Sequence, residues 1–308
     1  MLLLVACGFS HSPCCAVVGG ERVTLTLIAQ KYHLKTPINQ PDKVTLRGNH
    51  MELSFKSQSR MFHANGVLMS LGFSTEVKDG KLCVAHSDYI AHICPFFSAK
   101  QRQNAAQKTI IVLDPGHGGR ADGAISATGL KEKVATLDIC QKAAQLLAKQ
   151  GYVVYLTRDS DAHIELDDRT KFANQKFAKV FVSVHCNAAE SKLAHGIETF
   201  ALTPYGQPSQ RKAKSPQAEL KRYYSNKFDG ENLMLAYNVQ KALLRKTRSA
   251  DRGVRHARFH VLKNLNCPGI LVECGFLSNA VEGKKFASSC YRQTLAQAIA
   301  DGITAFLR

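Results

Sequence analysis

The stretch IIVLDPGHGG, residues 110–119, decides the fold, because it joins a continuous apolar run to a glycine-rich turn. An uninterrupted apolar run is typical of a strand that is buried on both faces, as the strands of parallel sheets are. The turn places His117 directly beyond the end of this strand. Open α/β sheets bind ligands beyond the carboxyl ends of their strands, so His117 is the first candidate for a functional residue.

Strands and helices alternate along the chain after this turn. The helical spacing of apolar residues predicts a helix over 131–150 that stops at Gly151, and an acidic first turn supports another over 166–175. Further helices are predicted over 231–247 and 290–308, and further strands over 152–158, 179–185, 196–202, 260–264 and 268–276. This alternation predicts an α/β fold with a twisted, mostly parallel sheet and helices on both faces.

A different pattern precedes this part of the chain. Residues 21–97 contain short alternating runs that are separated by turn signals such as Asn65-Gly66 and Asp79-Gly80. We expect a small α+β or mostly β module there, with an accessory or targeting role, because it carries no cluster of reactive residue types. The polar linker 98–108 then leads to the α/β domain over 109–308.

The first 20 residues form an apolar segment, and the first Lys or Arg of the chain is Arg22. The basic stretch that opens most secretory signals is therefore missing. Leu4-Val5-Ala6-Cys7 nevertheless resembles a bacterial lipobox, in which the Cys is lipidated. This resemblance predicts export with a lipid anchor at Cys7, and the alternative is an accidental match at the start of the chain.

The chain is strongly basic, with 41 Lys+Arg against 24 Asp+Glu and a formal net charge of +17. Such a charge favours nucleic acid, anionic membranes, or phosphate-bearing wall polymers and lipid-linked precursors, although it could serve solubility alone. Part of it lies in the segment 203–230, which we expect to be a binding loop. The ten cysteines form no CxxC pair, which argues against a zinc finger, and Cys83 and Cys94 are candidates for a disulfide.

Other predicted strand ends also carry polar side chains. His185 and Asn187 lie at the tip of the strand over 179–185, Glu273 lies at the end of the last strand, and Glu132 opens the first helix. Two His and one carboxylate with an open fourth position form a common catalytic zinc set. A second carboxylate nearby would then act as general base toward metal-bound water. Each residue also has a simpler explanation, namely a hydrogen-bonded His, a Glu that favours a helix N-terminus, or a strand carboxylate with a buried partner.

A series of motifs covers nearly the whole of residues 109–308. They are IIVLDPGHGG, GLKEK, LTRDSD, LDDRTKFAN, VFVSVHCNA, GIETF, FHVLKN, PGILVECGFLSN and IADGITAFL. In these motifs and in their order, the domain resembles the zinc-dependent N-acetylmuramoyl-L-alanine amidases of bacterial cell-division and spore-germination systems. By this resemblance His117, Glu132 and His185 match the zinc ligands, and Glu273 matches the catalytic carboxylate. The implied reaction is hydrolysis of the amide that joins the lactyl group of muramic acid to L-alanine.

The resemblance also implies a setting for this reaction. The expected substrate is peptidoglycan or a lipid-linked muropeptide, in cell-wall turnover or cell division at the periplasmic or envelope surface, and an activator protein is a further expected partner. Anionic envelope surfaces would attract the basic chain, whereas no specific nucleic acid is expected, because no DNA- or RNA-binding motif is present.

Four further polar residues have predicted roles around the zinc site. Arg169 and Asn187 are predicted rim contacts to a peptide carboxylate or a sugar, although Arg169 could equally form a salt bridge on a helix surface. Asp114 and Glu198 are candidates to accept the second N–H of the ligand imidazoles.

Two other functions compete with the amidase interpretation. A non-catalytic wall-binding protein could retain the same fold, but the intact ligand set and Glu273 argue against it. Ser209 and Lys212 form one SxxK match, which is reminiscent of penicillin-binding serine enzymes. That match lies in the loop 203–230 without a convincing KTG partner, so a serine acyl-enzyme activity is the weaker alternative.

Overall fold

The structure is a computed structural model that describes residues 20–98, 109–210 and 221–308. Cys7, most of the linker 98–108 and the loop residues 211–220 lie outside the described residues. The strands in the described ranges are β1 (Arg22–Thr24), β2 (Lys35–Gln40), β3 (Lys43–Arg47), β4 (Glu52–Lys56), β5 (Met61–Ala64), β6 (Val67–Ser70), β7 (Glu76–Lys78), β8 (Lys81–Ala85), β9 (Ile110–Pro115), β10 (Val153–Leu156), β11 (Val180–Asn187), β12 (Ile197–Leu202), β13 (Asp251–Ala257) and β14 (Gly269–Phe276). The longer helices are α1 (Leu25–Lys31), α2 (Glu132–Lys149), α3 (Leu166–Gln175), α4 (Asp229–Thr247), α5 (Ala280–Ala287) and α6 (Ser289–Leu307).

Among the described residues, the main sheet has eleven strands in the order β10-β9-β11-β14-β12-β13-β6-β5-β4-β3-β2. Strands β10, β9, β11 and β14 are parallel to one another. Strand β12 runs antiparallel to β14 and parallel to β13. The predicted mostly parallel sheet is therefore confirmed for the α/β domain, with one reversal of direction between β14 and β12.

Helices cover both faces of this sheet, as the sequence predicts. Helix α6 packs against both α2 and α4 on one face, over a core that includes Ile139, Val182 and Ile299. Helix α3 lies on the other face, where its Ala173 joins a second core cluster with Phe181. Successive residues of a strand point to opposite faces, so Phe181 and Val182 of β11 serve different cores. No helix in the described ranges is long and apolar enough to cross a membrane.

The N-terminal module is mostly β, as expected. It consists of an antiparallel meander, β2 to β6, and a small separate sheet of β1, β8 and β7. The turn at Asn65-Gly66 joins β5 to β6, and both of its residues have positive φ, as a tight hairpin turn requires. Strand β6 pairs in parallel with β13 through Met69 and Val254, so the main sheet runs continuously from this module into the α/β domain.

Residues 260–264 do not form the predicted strand. His260–Leu262 is a single 3-10 turn, and its Val261 and Leu262 are buried in the second core cluster. The strand is instead β13, nine residues earlier. Its three charged side chains obscured the underlying pattern, in which only about half of the residues are buried.

The predicted disulfide between Cys83 and Cys94 is wrong, because both residues are free thiols. Cys83 lies on β8 and donates to the carbonyl of Lys81, whereas Cys94 accepts from the hydroxyl of Tyr32. The two thiols therefore belong to different local contacts.

Candidate functional site

The turn that follows β9 holds His117 in an unusual backbone conformation. Its φ of 62° lies in the left-handed region, which residues with a side chain adopt rarely. Two buried arginines hold the carbonyls of this turn. Arg158 donates to Pro115 and Gly116 at 3.0 and 2.8 Å. Arg169 donates to Pro115 and His117 at 2.8 and 2.9 Å. These hydrogen bonds offset the backbone strain, which typically costs ~1–3 kcal/mol at one residue.

Two glycines leave the space that the site needs. A Cβ added at Gly116 would lie 2.4 Å from the ring of His185. A Cβ added at Gly123 would lie 2.5 Å from Oε2 of Glu132. Both distances are shorter than any real Cβ contact, so a larger residue at either position would displace one of these side chains.

His117, Glu132 and His185 come together from three different elements of the fold. Glu132 is the first residue of α2 and is buried, whereas both imidazoles are partly exposed. Its Oε2 lies 3.0 Å from Nε2 of His117, and its Oε1 lies 3.0 Å from Nδ1 of His185. The backbone N–H groups of Ala124 and Cys186 donate to the same two oxygens at 2.9 and 3.0 Å. The carboxylate is therefore fixed between the two rings.

The charge of Glu132 is stabilised by its neighbours. Burial by itself would raise the pKa of this carboxyl group, but hydrogen bonds from His117 and His185 outweigh burial and hold the pKa well below its ordinary value. Glu132 is therefore ionised at neutral pH, which is the form that a metal ion requires of a carboxylate ligand.

The residues present fit a divalent metal ion. One ligand atom from each of His117, Glu132 and His185 lies within 4.8 Å of the others. Two imidazole nitrogens and one carboxylate oxygen are a common catalytic set for Zn²⁺, and ligands ~2.1 Å from one ion lie within ~4 Å of one another. The side chains of His117 and His185 are 30% and 21% exposed, so a small molecule could reach the cluster from solvent.

Glu273 lies beside this cluster on the neighbouring strand. It stands opposite His185 in the pair β11–β14, and opposite Glu198 in the pair β14–β12. Residues opposite each other on adjacent strands point to the same face, so His185, Glu273 and Glu198 form one row across three strands. Glu273 is only 8% exposed, so it is largely shielded from solvent.

A cleft of about 220 Å³ adjoins this row and is lined in part by Asn187. The side-chain amide of Asn187 donates to Oε1 of Glu198 at 2.8 Å. Arg252 and Arg255 of β13 line the same cleft. Sequence reasoning missed both arginines because it placed this strand at 260–264. The role of Asn187 as a substrate contact stays a prediction.

Arg169 lies behind the site and not at its rim. Its side chain is 4% exposed and donates to Oδ1 of Asp114 at 2.7 Å. Asp114 also accepts from the hydroxyls of Thr157 and Ser183 at 2.6 and 2.7 Å. Within the described ranges the partners of Asp114 are thus one arginine and two hydroxyls, and the predicted contact to a ligand imidazole is wrong. Burial also denies Arg169 the predicted rim contact, so we reassign it to holding the His117 turn.

Comparison with known proteins identifies the family of this chain. A family model described as N-acetylmuramoyl-L-alanine amidase matches residues 111–305, a range that contains the ligand cluster and Glu273. The N-acetylmuramoyl-L-alanine amidase LytC of Bacillus subtilis (strain 168) is 32% identical over 210 residues, which cover 68% of this chain and 38% of LytC. The chain therefore matches well under half of the length of that relative.

Solved structures share the fold as well. The N-acetylmuramoyl-L-alanine amidase AmiC2 of Nostoc punctiforme has a TM-score of 0.55 at 32% identity, covering 65% of this chain and 98% of that chain. The CwlD amidase from Clostridioides difficile, in complex with the GerS lipoprotein, has a TM-score of 0.54 at 29% identity, with the same two coverages of 65% and 98%. On the family match and on these relatives, the chain belongs to the N-acetylmuramoyl-L-alanine amidase family.

Proposed function

We propose that this chain hydrolyses the amide between the lactyl group of N-acetylmuramic acid and L-alanine, with Zn²⁺ held by His117, Glu132 and His185. The observation that carries the proposal is the convergence of these three ligand-type side chains from separate elements. Glu273 stands on the next strand in register with His185, where a second carboxylate is needed.

The proposed chemistry divides the work between metal and protein. When bound, zinc supplies a Lewis acid and lowers the pKa of water toward ~7. Glu273 accepts the proton of the attacking water and passes it to the departing nitrogen, as a general base and then a general acid. Arg158 and Arg169 keep the His117 turn in place, so that His117 is already oriented before substrate arrives.

The setting of this activity follows from the family. We propose that the substrate is peptidoglycan or its lipid-linked precursor, in wall turnover or cell division, and that an activator protein takes part. One related amidase, CwlD, was solved in complex with a lipoprotein. We also propose export to the periplasm or envelope with a lipid anchor at Cys7. Fatty-acid labelling that is lost in Cys7→Ser supports the anchor, and a wild-type chain without label excludes it.

The test is digestion of purified peptidoglycan and of lipid-linked precursor, with products identified by mass spectrometry. We expect free stem peptides that begin with L-alanine, loss of activity on chelation and recovery with added zinc. A chain that binds the wall without releasing peptide would instead be a non-catalytic binding protein. Labelling by a fluorescent penicillin, lost in Ser209→Ala, would favour the serine alternative.

Site variants separate the ligands from the base. His117→Ala should lose bound metal and activity together. Glu273→Gln keeps the size of the side chain but cannot accept a proton, so metal should remain while turnover falls by at least ~100- to 10,000-fold. If Glu273→Gln loses metal and Glu132→Ala retains it, the two carboxylates have exchanged roles. Full activity in all of these variants would place the active site elsewhere.

A further inference from the structure

The cleft beside the proposed zinc site contains two arginines that the proposed chemistry does not use. Arg252 and Arg255 line it together with Phe200 and Phe276, and Arg252 lies 4.8 Å from the ring centroid of Phe276. Their side chains are 34% and 32% exposed, so each has one part packed in the wall and another open to the cleft.

One buried carboxylate, Glu198, anchors both arginines. Its Oε2 accepts from Nε of Arg252 at 3.2 Å and from Nη1 of Arg255 at 2.9 Å. The cleft wall therefore has two guanidinium groups beside Glu198, and Glu273 stands opposite Glu198 on the neighbouring strand. Nε of Arg255 is buried and has no hydrogen-bond partner in the part of the chain that the structure describes. The pair is therefore held in place by Glu198, and about a third of each arginine side chain stays exposed.

The distance between the arginine pair and the proposed zinc site sets the length of a ligand that could contact both. Glu198 stands two strands away from His185 in the row that passes through Glu273. Adjacent strands lie ~4.8 Å apart, so the centres of this row span roughly 10 Å. An extended peptide covers ~3.3–3.6 Å per residue, so a peptide cut at the zinc would reach the arginines with its second or third residue.

We propose that Arg252 and Arg255 bind the free carboxylate that branches from the second residue of the stem peptide. This inference rests on the proposed function. A guanidinium group pairs with a carboxylate through two parallel N–H···O bonds, which fixes the peptide direction as well as its charge. A monocarboxylate brings one negative charge close to Glu198, whereas a pyrophosphate brings at least two. The cleft thereby selects stem peptides whose side-branch carboxyl group is free over those in which it is amidated.

The experiment measures binding of the product peptide L-alanyl-γ-D-glutamyl-L-lysine and of its glutamyl α-amide to the zinc-loaded full chain by calorimetry. Charged hydrogen bonds of ~1.5–3 kcal/mol predict that the acid binds about 10- to 100-fold more tightly than the amide. Arg255→Gln should lower the affinity for the acid peptide to that for the amide peptide, and it should leave the affinity for the amide peptide unchanged. Arg255→Lys, which retains the charge but loses the planar fork, should fall between the two.

Arg47→Gln is the matched control, because Arg47 is also paired with a glutamate, Glu52 at 2.7 Å, but lies on β3 of the N-terminal module. This variant should preserve the preference for the acid. Equal binding of acid and amide by the unmodified chain overturns the inference, and so does a preference that survives in both Arg252→Gln and Arg255→Gln. Thermal melting shows whether each variant is folded.

Hydrolysis of the corresponding muramoyl peptides distinguishes the two proposals. If both acid and amide substrates are cut with the same KM, the amidase function stands and the carboxylate site is refuted. If neither substrate is cut, the proposed function fails. The difference in binding between the acid and amide peptides still tests the arginine pair. A loss in Arg255→Gln that appears only with lipid-linked substrates, and equally for acid and amide, would assign the pair to pyrophosphate and overturn the inference.

Discussion

Arg169 shows how a single buried side chain can control a site that it does not enter. It connects α3 to the carbonyls of the His117 turn and to Asp114, which is fully buried. Removing one partner of a buried ion pair typically costs ~3–5 kcal/mol, because the other charge remains without compensation. The left-handed conformation of His117 therefore depends on Arg169, and the position of the imidazole depends on that conformation.

Arg169→Lys should lower zinc affinity by about 10- to 100-fold, as residues behind a metal ligand commonly do. Lysine keeps the charge near Asp114 but cannot bond two carbonyls and a carboxylate in one plane. Competition with a chromophoric chelator measures the affinity, and thermal melting of the metal-free chain reports stability separately. Lys171→Gln, an exposed change on the same helix, is the control. A folded Arg169→Lys that binds zinc normally would restrict Arg169 to a role in stability.

At the scale of elements, the junction between β6 and β13 contains buried polar groups in addition to strand pairing. His256 of β13 is 4% exposed, and its Nδ1 lies 3.2 Å from the hydroxyl of Ser70 on β6. Its ring centroid is 4.4 Å from that of His92, which is fully buried and lies 2.8 Å from the side chain of Gln207. Gln210 lines the cleft and accepts from both Ser70 and the backbone of His256. The N-terminal module therefore supports one wall of the cleft.

This junction should weaken in acid. Burial lowers the pKa of His256 and of His92, and for His92 it outweighs the nearby Asp88, so both rings are neutral in the folded chain. The unfolded chain takes up protons below its histidine pKa of ~6.5, so stability is lost as pH falls through that value. Each histidine that stays neutral in the folded chain lowers the free energy of unfolding by about 1.4 kcal/mol for every pH unit below ~6.5.

Denaturant unfolding at pH 7 and pH 5 measures this effect. His256→Gln should reduce the loss of stability between the two values by up to about 2 kcal/mol. His63→Gln, at an exposed position on β5, should leave the loss unchanged. Burial raises the pKa of Asp88, so this group makes the folded chain more stable as pH falls, which is opposite to the effect of the histidines. The loss of stability between pH 7 and pH 5 is therefore compared between variants. An unchanged pH dependence in His256→Gln would mean that this ring is already charged in the folded chain.

At the scale of the whole molecule, the formal net charge of +17 acts over distances that no single contact covers. Basic side chains on the described part of the loop 203–230 lie over aromatic rings, with Nζ of Lys227 3.7 Å from the centroid of Tyr224 and that of Lys221 5.6 Å from the centroid of Tyr223. Such contacts hold ammonium groups at the surface, where they can meet an anionic polymer or membrane.

Apparent affinity for peptidoglycan should therefore fall with salt, while turnover at saturation changes little. Exposed charges are screened beyond ~8 Å at physiological ionic strength, whereas the buried site is screened less. Sedimentation of the chain with wall sacculi across a salt series measures the affinity. Replacing Lys221, Arg222 and Lys227 by Gln should flatten the salt dependence, and Arg47→Gln should not. An affinity for peptidoglycan that does not change with salt concentration would show that the net positive charge does not act in binding the wall.

The sequence by itself determined the alternation of strands and helices, the turns of the N-terminal module and the residues of the proposed metal site. The first two features are local, because apolar runs, helical spacing and turn signals involve residues within a few positions of one another. The proposed ligands are far apart in the chain, and their match to the motifs of the family indicated them. The strand 251–257 was missed because its charged side chains mask the local pattern of burial.

Only the tertiary structure decided which distant segments meet. The pairing of β6 with β13, the burial of Arg169 and the contact of two arginines with Glu198 each join residues more than 50 positions apart. Strand register and side-chain direction set such contacts, and both depend on how the whole sheet packs against its helices. The sequence does not show whether an arginine lies at the rim of a site, behind a turn or in a cleft. Its contacts in the folded chain decide this.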